Sequence, residues 1–129
     1  MKIEHLAIWV EDLEGIRDFY VRYFNMQCGE KYINTQKQFA SYFLSFANTG
    51  TRIELMYRPN ILKNNADRGI VAGVTHFAIA VGSKENVNVL TERMRADGVT
   101  IQSEPRTTGD GYYESVVLDP ERNYIEITE

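Results

Sequence analysis

Two histidines and two glutamates are the residues of this sequence whose types and spacing could support chemistry. His5 and His76 are the only histidines among the 129 residues, and Glu54 and Glu126 follow them by 49 and 50 positions. Imidazole nitrogens and carboxylate oxygens suit a divalent first-row ion, with positions left for water or substrate when the ion prefers six ligands. The four side chains therefore predict a metal site at which a carboxylate could also take a proton.

The residues around these four positions alternate with the period of two that is typical of a β-strand. One face of each strand is apolar and the other carries the candidate ligand. The apolar residues are Leu6, Ile8, Val10, Ile53, Leu55, Phe77, Ile79, Val81, Ile125 and Ile127. Ala7, Ala78 and Ala80 stand beside the histidines and leave open space. We expect helices on the apolar faces and a cavity on the ligand faces.

An internal repeat relates the four positions to one another. Residues 3–10 resemble residues 74–81, and residues 52–55 resemble residues 124–127, at offsets of 71 and 72 positions. A lone strand histidine is more often a structural residue than a ligand, and a lone strand glutamate more often faces solvent. Here the histidine recurs at the same position of both halves of the repeat, and so does the glutamate. This recurrence favours a metal site over four unrelated structural residues.

Each half of the repeat predicts a strand, a helix and three further strands. We expect strands at about 3–10, 27–33, 39–47 and 51–57, then at 74–81, 100–103, 112–118 and 124–128. Asp12 and Ser83 are predicted helix caps, and residues 48–50 and 119–120 are predicted turns. The chain is then one domain, 1–129, with module 1 at about 1–58, a linker at about 59–72 and module 2 at about 73–129.

Composition excludes several kinds of partner. The chain has 18 acidic and 14 basic residues and a formal charge of -4, which gives no cationic excess for nucleic acid. No apolar run reaches the roughly 20 residues that span a bilayer, and the first residues lack a signal-peptide core. The single cysteine, Cys28, rules out an internal disulfide and fits a reducing compartment. We expect a cytoplasmic protein with no nucleic-acid or membrane partner.

Further pocket residues follow from strand parity. The residues on the ligand side of the first-module strands are Trp9, Arg52, Met56 and Arg58. Arg52 or Arg58 could hold a substrate carboxylate or phosphate as a bidentate donor, or could be an exposed arginine at a strand end. Tyr42 and Tyr113 are additional candidates whose strand face the sequence leaves open.

The sequence resembles the vicinal oxygen chelate superfamily, also called the glyoxalase, bleomycin-resistance and extradiol dioxygenase superfamily. The resemblance is carried by residues 5–8, Phe19-Tyr20, residues 53–55, residues 75–78 and residues 118–127. The last segment is similar to the family's Asp-Pro-Asp-Gly-Asn-x-Ile-Glu-Leu end, with Glu121-Arg122 where Asp-Gly is usual. The resemblance implies an α+β fold of two tandem βαβββ modules, which form a curled mixed sheet of half-barrels with helices on the outer face.

The ligand positions implied by the resemblance are His5, Glu54, His76 and Glu126, around a divalent ion (Zn, Ni, Fe, Mn or Co). Two glutamates indicate the glyoxalase I branch, because extradiol dioxygenases and fosfomycin-resistance enzymes typically use two histidines and one glutamate. Bleomycin-binding members lack the metal set. Family members also commonly pair modules within one chain or across a dimer, so we expect a homodimer.

Two departures separate this chain from lactoylglutathione lyase. Trp9 stands where glyoxalase I usually has an arginine, and Arg58 stands where it usually has an asparagine; both family residues help to hold glutathione. We therefore expect a metal-dependent, glyoxalase-like lyase or isomerase of unassigned specificity. Its metal would bind two adjacent oxygens of a small substrate and stabilise an oxyanion or enediolate, with Glu126 or Glu54 as base.

Two other functions remain open for the same fold. One is a non-catalytic, drug-sequestering protein that binds a small molecule without metal. The other is a metal-dependent dioxygenase.

Overall fold

The computed structural model describes residues 1–47, 50–63 and 66–129. Residues 48 and 49 of the predicted turn, and residues 64 and 65 of the predicted linker, lie outside the described residues. The chain divides into two compact units, Met1–Asn64 and Asn65–Glu129. That both modules make one domain stays a prediction.

Both units contain the predicted order of one strand, one helix and further strands. The first unit consists of β1 (His5–Trp9), α1 (Leu13–Phe24), β2 (Gln27–Cys28), β3 (Tyr32–Asn34), β4 (Phe39–Ser45) and β5 (Arg52–Tyr57). The second unit consists of a short 3-10 helix (Arg68–Ile70), β6 (His76–Ala80), α2 (Lys84–Ala96), β7 (Ile101–Thr107), β8 (Tyr113–Leu118) and β9 (Tyr124–Thr128).

Each unit forms its own mixed sheet. The strand order is β1-β5-β4-β2 in the first unit, with β3 also on β4, and β6-β9-β8-β7 in the second. The pairs β1–β5 and β6–β9 are parallel and the others are antiparallel. The predicted α+β class with curled mixed sheets is confirmed.

The helices begin at the predicted caps and bury one apolar stripe each. The Asp12 side chain accepts a hydrogen bond from the Gly15 amide at 3.0 Å, and Ser83 does the same for Asn86 at 3.1 Å. The stripe of α1 packs on β4 and β5, and α2 packs on β7, β8 and β9. A twelve-residue helix is marginal in isolation, so burial of its stripe supplies most of its stability. Among the described residues, no helix is long and apolar enough to cross a membrane.

Two predicted strands differ from the structure by more than two residues. The predicted strand at 27–33 is interrupted, because three residues between Cys28 and Tyr32 face only two residues between Leu44 and Ser41 on β4. The predicted strand at 100–103 extends to 107 through Pro105. Proline is tolerated there because β7 is the edge strand of its sheet, where a missing amide need not break the ladder.

Candidate metal centre

His5 and Glu54 face each other on neighbouring strands of the first unit. The parallel register of β1 and β5 puts Ala7 beside Glu54, and the small alanine leaves the two longer side chains room to approach. The Nε2 atom of His5 lies 3.8 Å from Oε2 of Glu54. The Glu54 side chain is 15% exposed and the His5 side chain 38% exposed. Both belong to the open face of this sheet, which we define as the face opposite the helix.

His76 and Glu126 repeat this arrangement in the second unit. Ala78 pairs with Glu126 in the parallel register of β6 and β9. The Nε2 atom of His76 lies 3.4 Å from Oε2 of Glu126. The Glu126 side chain is 17% exposed and the His76 side chain 43% exposed, close to the values of the first pair. Each unit therefore presents one imidazole and one carboxylate on its open face.

The donor atoms of each pair have a separation that suits a shared metal ion. Two ligand atoms at about 2.1 Å from one ion lie about 3.0 Å apart at a right angle and about 3.4 Å apart at the tetrahedral angle. The observed separations, 3.4 Å and 3.8 Å, match or slightly exceed these values. Among the residues that the structure describes, no three His, Cys, Asp or Glu side chains form a group able to hold a metal ion. The four-ligand set stays a prediction.

Glu4 contacts the second nitrogen of His5, which the sequence pattern did not reveal. Oε2 of Glu4 lies 2.5 Å from Nδ1 of His5, and Oε1 of Glu4 accepts a hydrogen bond from Arg52. The His5 hydrogen bond, helped by Arg52, lowers the pKa of the Glu4 carboxyl. Phe43 supports both partners, with its ring 5.5 Å from the His5 ring and 4.0 Å from the Arg52 guanidinium carbon.

Glu114 is a second acidic residue that the sequence interpretation missed. The register of β8 and β9 aligns Glu114 with Thr128 and puts it on the same face as Glu126, close enough for the two carboxyl groups to interact. Burial, followed by the charge of Glu126, raises the pKa of Glu114, while Arg106 at 3.6 Å opposes this. The Thr128 hydroxyl oxygen beside it is buried and has no hydrogen-bond partner within the described ranges. This corner of the second unit is rich in polar groups.

Of the two arginines predicted to bind substrate, Arg52 pairs with an acidic residue, whereas Arg58 lies over an aromatic ring. Arg52 is bound to Glu4, whereas the exposed Arg58 lies with its guanidinium carbon 4.9 Å from the centre of the Trp9 ring. Within the described part of the chain, Arg58 forms no ion pair. Trp9 is 39% exposed and pairs in register with Met56, so both lie on the open face with His5 and Glu54.

Tyr42 and Tyr113 lie on the opposite sides of their sheets from the candidate ligands. The Tyr42 hydroxyl accepts a hydrogen bond from Arg17 at 3.1 Å and donates to Glu14 at 3.2 Å, both on α1. The Tyr113 hydroxyl donates to Asn88 of α2 at 2.9 Å. The structure therefore does not bring either tyrosine together with the candidate ligands of its unit.

A cleft of about 390 Å³ lies at the end of the first sheet, against the start of α1. Its described lining includes Glu11, Asp12, Phe39 and Tyr57 and none of the four candidate ligands. Phe39 lies between this cleft and the open face, because the centre of its ring is 6.1 Å from the centre of the Trp9 ring in an edge-on arrangement.

Each unit has one strand, one helix and then further strands, with a His–Glu pair on its open face, and this arrangement indicates the class of protein. The chain belongs to the Glyoxalase/Bleomycin resistance protein/Dioxygenase superfamily, whose family model matches residues 2–127. A search of curated proteins found no match.

Solved structures of two glyoxalase I enzymes are similar to this chain. Glyoxalase I from Zea mays is 27% identical with a TM-score of 0.81; the match covers 98% of this chain and 44% of the maize chain. This chain thus spans less than half the length of the maize protein. Trypanothione-dependent glyoxalase I from Leishmania major is 26% identical with a TM-score of 0.78, over 100% of this chain and 86% of that one.

A bacterial structure shares the fold at lower identity. The glyoxalase family protein from Enterococcus faecalis is 18% identical with a TM-score of 0.78, over 99% of this chain and 97% of that one. This likeness concerns the fold alone.

Proposed function

We propose that the chain is a divalent-metal-dependent, glyoxalase-like lyase or isomerase that acts on a small substrate with two adjacent oxygens. Its metal ligands are His5, Glu54, His76 and Glu126. The observation that carries the proposal is the matched separation of imidazole and carboxylate in both units, 3.8 Å and 3.4 Å. Membership of a superfamily named for glyoxalase supports it further.

The donor set fits a first-row ion such as Zn, Ni, Fe, Mn or Co, because imidazole nitrogen and carboxylate oxygen suit all of them. When bound, the ion supplies Lewis acidity to a pair of substrate oxygens. The two carboxylates also balance its two positive charges. No thiol takes part, since Cys28, the only cysteine, pairs with Leu44, which lies on the opposite face of the sheet from Glu54.

Proton transfer falls to a glutamate. With Nε2 of both histidines used as ligand, neither imidazole can act as a base, and Glu126 or Glu54 removes the proton beside the substrate carbonyl. Proton removal leaves an enediolate or oxyanion on the substrate. Both carboxylates are more than four-fifths buried, which limits competition from bulk water.

Arg58 and Trp9 bind the part of the substrate that does not react. Arg58 is the better anion-binding group because Arg52 already pairs with Glu4. A guanidinium over an indole binds a carboxylate or phosphate as a bidentate donor while the ring contacts an apolar group. Met56 extends the apolar surface towards Glu54. We expect an anionic substrate other than a glutathione adduct.

Metal analysis after reconstitution tests the proposal. Wild-type protein, exposed in turn to Zn²⁺, Ni²⁺, Co²⁺ and Mn²⁺ and then freed of excess ion, is expected to retain one ion per set of four ligands. His5→Ala and Glu126→Ala should lose it, while Glu104→Gln on the exposed face of β7 should not. Wild-type protein that retains no metal would instead support the metal-free, drug-sequestering alternative.

Activity assays separate the remaining alternatives. Turnover of hemithioacetals of several thiols tests the lyase, and oxygen uptake with catechols after Fe²⁺ loading tests the dioxygenase. We also expect a cytoplasmic homodimer, with the four ligands supplied by one chain or by two. The molar mass from light scattering decides the oligomeric state.

A further inference from the structure

We propose that Glu4 is a positioning residue that fixes the His5 imidazole with Nδ1–H bound to Glu4 and with Nε2 free to bind metal. The inference rests on the proposed function, in which His5 is a ligand. It adds a residue that lies outside the repeated His and Glu positions, and it makes the two units unequal.

The contacts of His5 support this orientation directly. Nδ1 lies 2.5 Å from Oε2 of Glu4, while Nε2 points towards Glu54 at 3.8 Å. A carboxylate can only accept a hydrogen bond, so the neutral ring must carry its proton on Nδ1. The lone pair is then on Nε2, on the side where Glu54 offers its oxygen. Metal-binding histidines commonly have their second ring nitrogen held by a carboxylate in this way.

Glu4 is itself held in place. Arg52, the register partner of His5 on β5, donates from Nη2 to Glu4, and the Arg52 amide donates to the Glu4 carbonyl at 3.0 Å. The Phe43 ring contacts both the His5 ring and the Arg52 guanidinium. These contacts join four side chains and restrict the orientation of the His5 ring before it binds an ion. The ring therefore loses less conformational entropy on binding.

Within its described residues, the second unit has no group equivalent to Glu4. Thr75 occupies the place of Glu4 before the histidine, and its hydroxyl donates to the Gly69 carbonyl at 3.4 Å. Tyr124 is the register partner of His76, and its hydroxyl donates to Asp67 at 2.8 Å. Among the described residues, no side chain holds Nδ1 of His76. The His5–Glu54 pair is therefore the preorganised half of the proposed site.

The tautomer of His5 can be measured in protein without metal. Two-bond ¹H–¹⁵N spectra of histidine-labelled protein contain only two rings, and His5→Ala assigns them. At mildly alkaline pH we expect His5 as the Nδ1–H form and His76 as a mixture. Glu4→Ala should convert His5 to a mixture, while Glu4→Gln should keep the Nδ1–H form because its amide oxygen still accepts. An Nε2–H form in the wild type, or an unchanged spectrum in Glu4→Ala, would overturn the inference.

Metal affinity supplies the second readout. In a Co²⁺ titration followed by visible absorption, we expect Glu4→Ala to weaken binding about 10- to 100-fold, with part of the loss restored in Glu4→Gln. Thr75→Ala, the matching position of the second unit, should leave the affinity unchanged. Glu4 is exposed and precedes β1, so the variants should fold, which the melting temperature checks.

The two proposals fail in different ways. Wild-type protein that binds Co²⁺ with the same affinity as Glu4→Ala overturns the role of Glu4 and leaves the metal site intact. Wild-type protein that binds no Co²⁺ overturns the proposed function. In that case the spectra of metal-free protein still decide whether Glu4 fixes the His5 ring.

Discussion

Oε2 of Glu126 lies 3.4 Å from Nε2 of His76, across the parallel pair β9 and β6. The same relationship joins Glu54 and His5 at 3.8 Å across β5 and β1. In both sheets the register partner of the glutamate is an alanine. The histidine two residues before this alanine can therefore extend its imidazole over the small side chain towards the carboxylate. The repeat thus conserves within one chain a donor pair together with the space that the pair needs.

Arg58 is expected to set affinity for an anionic substrate. Arg58→Ala should raise KM with little change in kcat, because the guanidinium contacts a part of the substrate that does not react. Arg58→Lys should restore only part of the affinity, since lysine cannot bind bidentately or stack as flat on Trp9. An equal loss of kcat in Arg58→Ala would contradict this role. Arg22→Ala on α1 is the control.

Gly69 is expected to accept a side chain only if the Tyr124 ring moves. A Cβ at this position would lie 2.7 Å from the Tyr124 ring, whose hydroxyl is bonded to Asp67. Gly69→Ala should therefore lower the melting temperature and displace the 3-10 helix. Tyr124→Phe keeps the ring and loses only the hydrogen bond, so its effect should be smaller. Equal melting temperatures for wild type and Gly69→Ala would show that the segment yields without cost.

Arg122 is expected to be a site of backbone strain. Its φ of 66° is in the left-handed region, at the place where a glycine is usual in the resembling motif. Arg122→Gly should raise the free energy of unfolding by up to about 1 kcal/mol, the strain released less the entropy that glycine adds to the unfolded chain. Denaturant titration measures this. Gly98→Ala, at a φ of 84°, should act in the opposite direction.

Cys28 is expected to react slowly at neutral pH. Although Cys28 is an exposed residue, partial desolvation of its sulfur raises the pKa of the thiol, so the thiolate fraction is smaller than in a free cysteine at the same pH. The rate of iodoacetamide labelling should rise with a midpoint at a higher pH than that of a free cysteine. Rapid labelling at neutral pH would contradict the raised pKa, and Cys28→Ser controls for other sites.

Much of the fold could be predicted because strand alternation and helix-capping residues indicate the same elements. The strand at 124–128 and the caps Asp12 and Ser83 follow from alternation and side-chain chemistry that need no distant partner. Where β2, β3 and β7 begin and end depends instead on their pairing with the neighbouring strand. The extra residue opposite β4 and the edge position that accepts Pro105 both depend on how the strands pair. The sequence of a single strand does not contain this information.

The candidate site, like the fold, could be predicted only where the pattern within a single strand was sufficient. Parity along a strand identified the four candidate ligands, but relating one strand to another requires their register. Tyr42 pairs with Leu55 and Tyr113 is one residue from Glu114, so both tyrosines face helices. Glu114 and Glu4 could not be recognised for the same reason. Glu114 reaches Glu126 through the β8–β9 register, and Glu4 reaches His5 from just outside β1.

X-ray absorption of zinc-reconstituted protein tests the central proposal most directly, because it reports the atoms bound to the ion. We expect only nitrogen and oxygen neighbours at about 2.0–2.2 Å, with the outer scattering of two imidazole rings. His5→Ala or His76→Ala should reduce this to one ring. Sulfur neighbours, or a wild-type spectrum without imidazole scattering, would contradict a site made of His5, Glu54, His76 and Glu126.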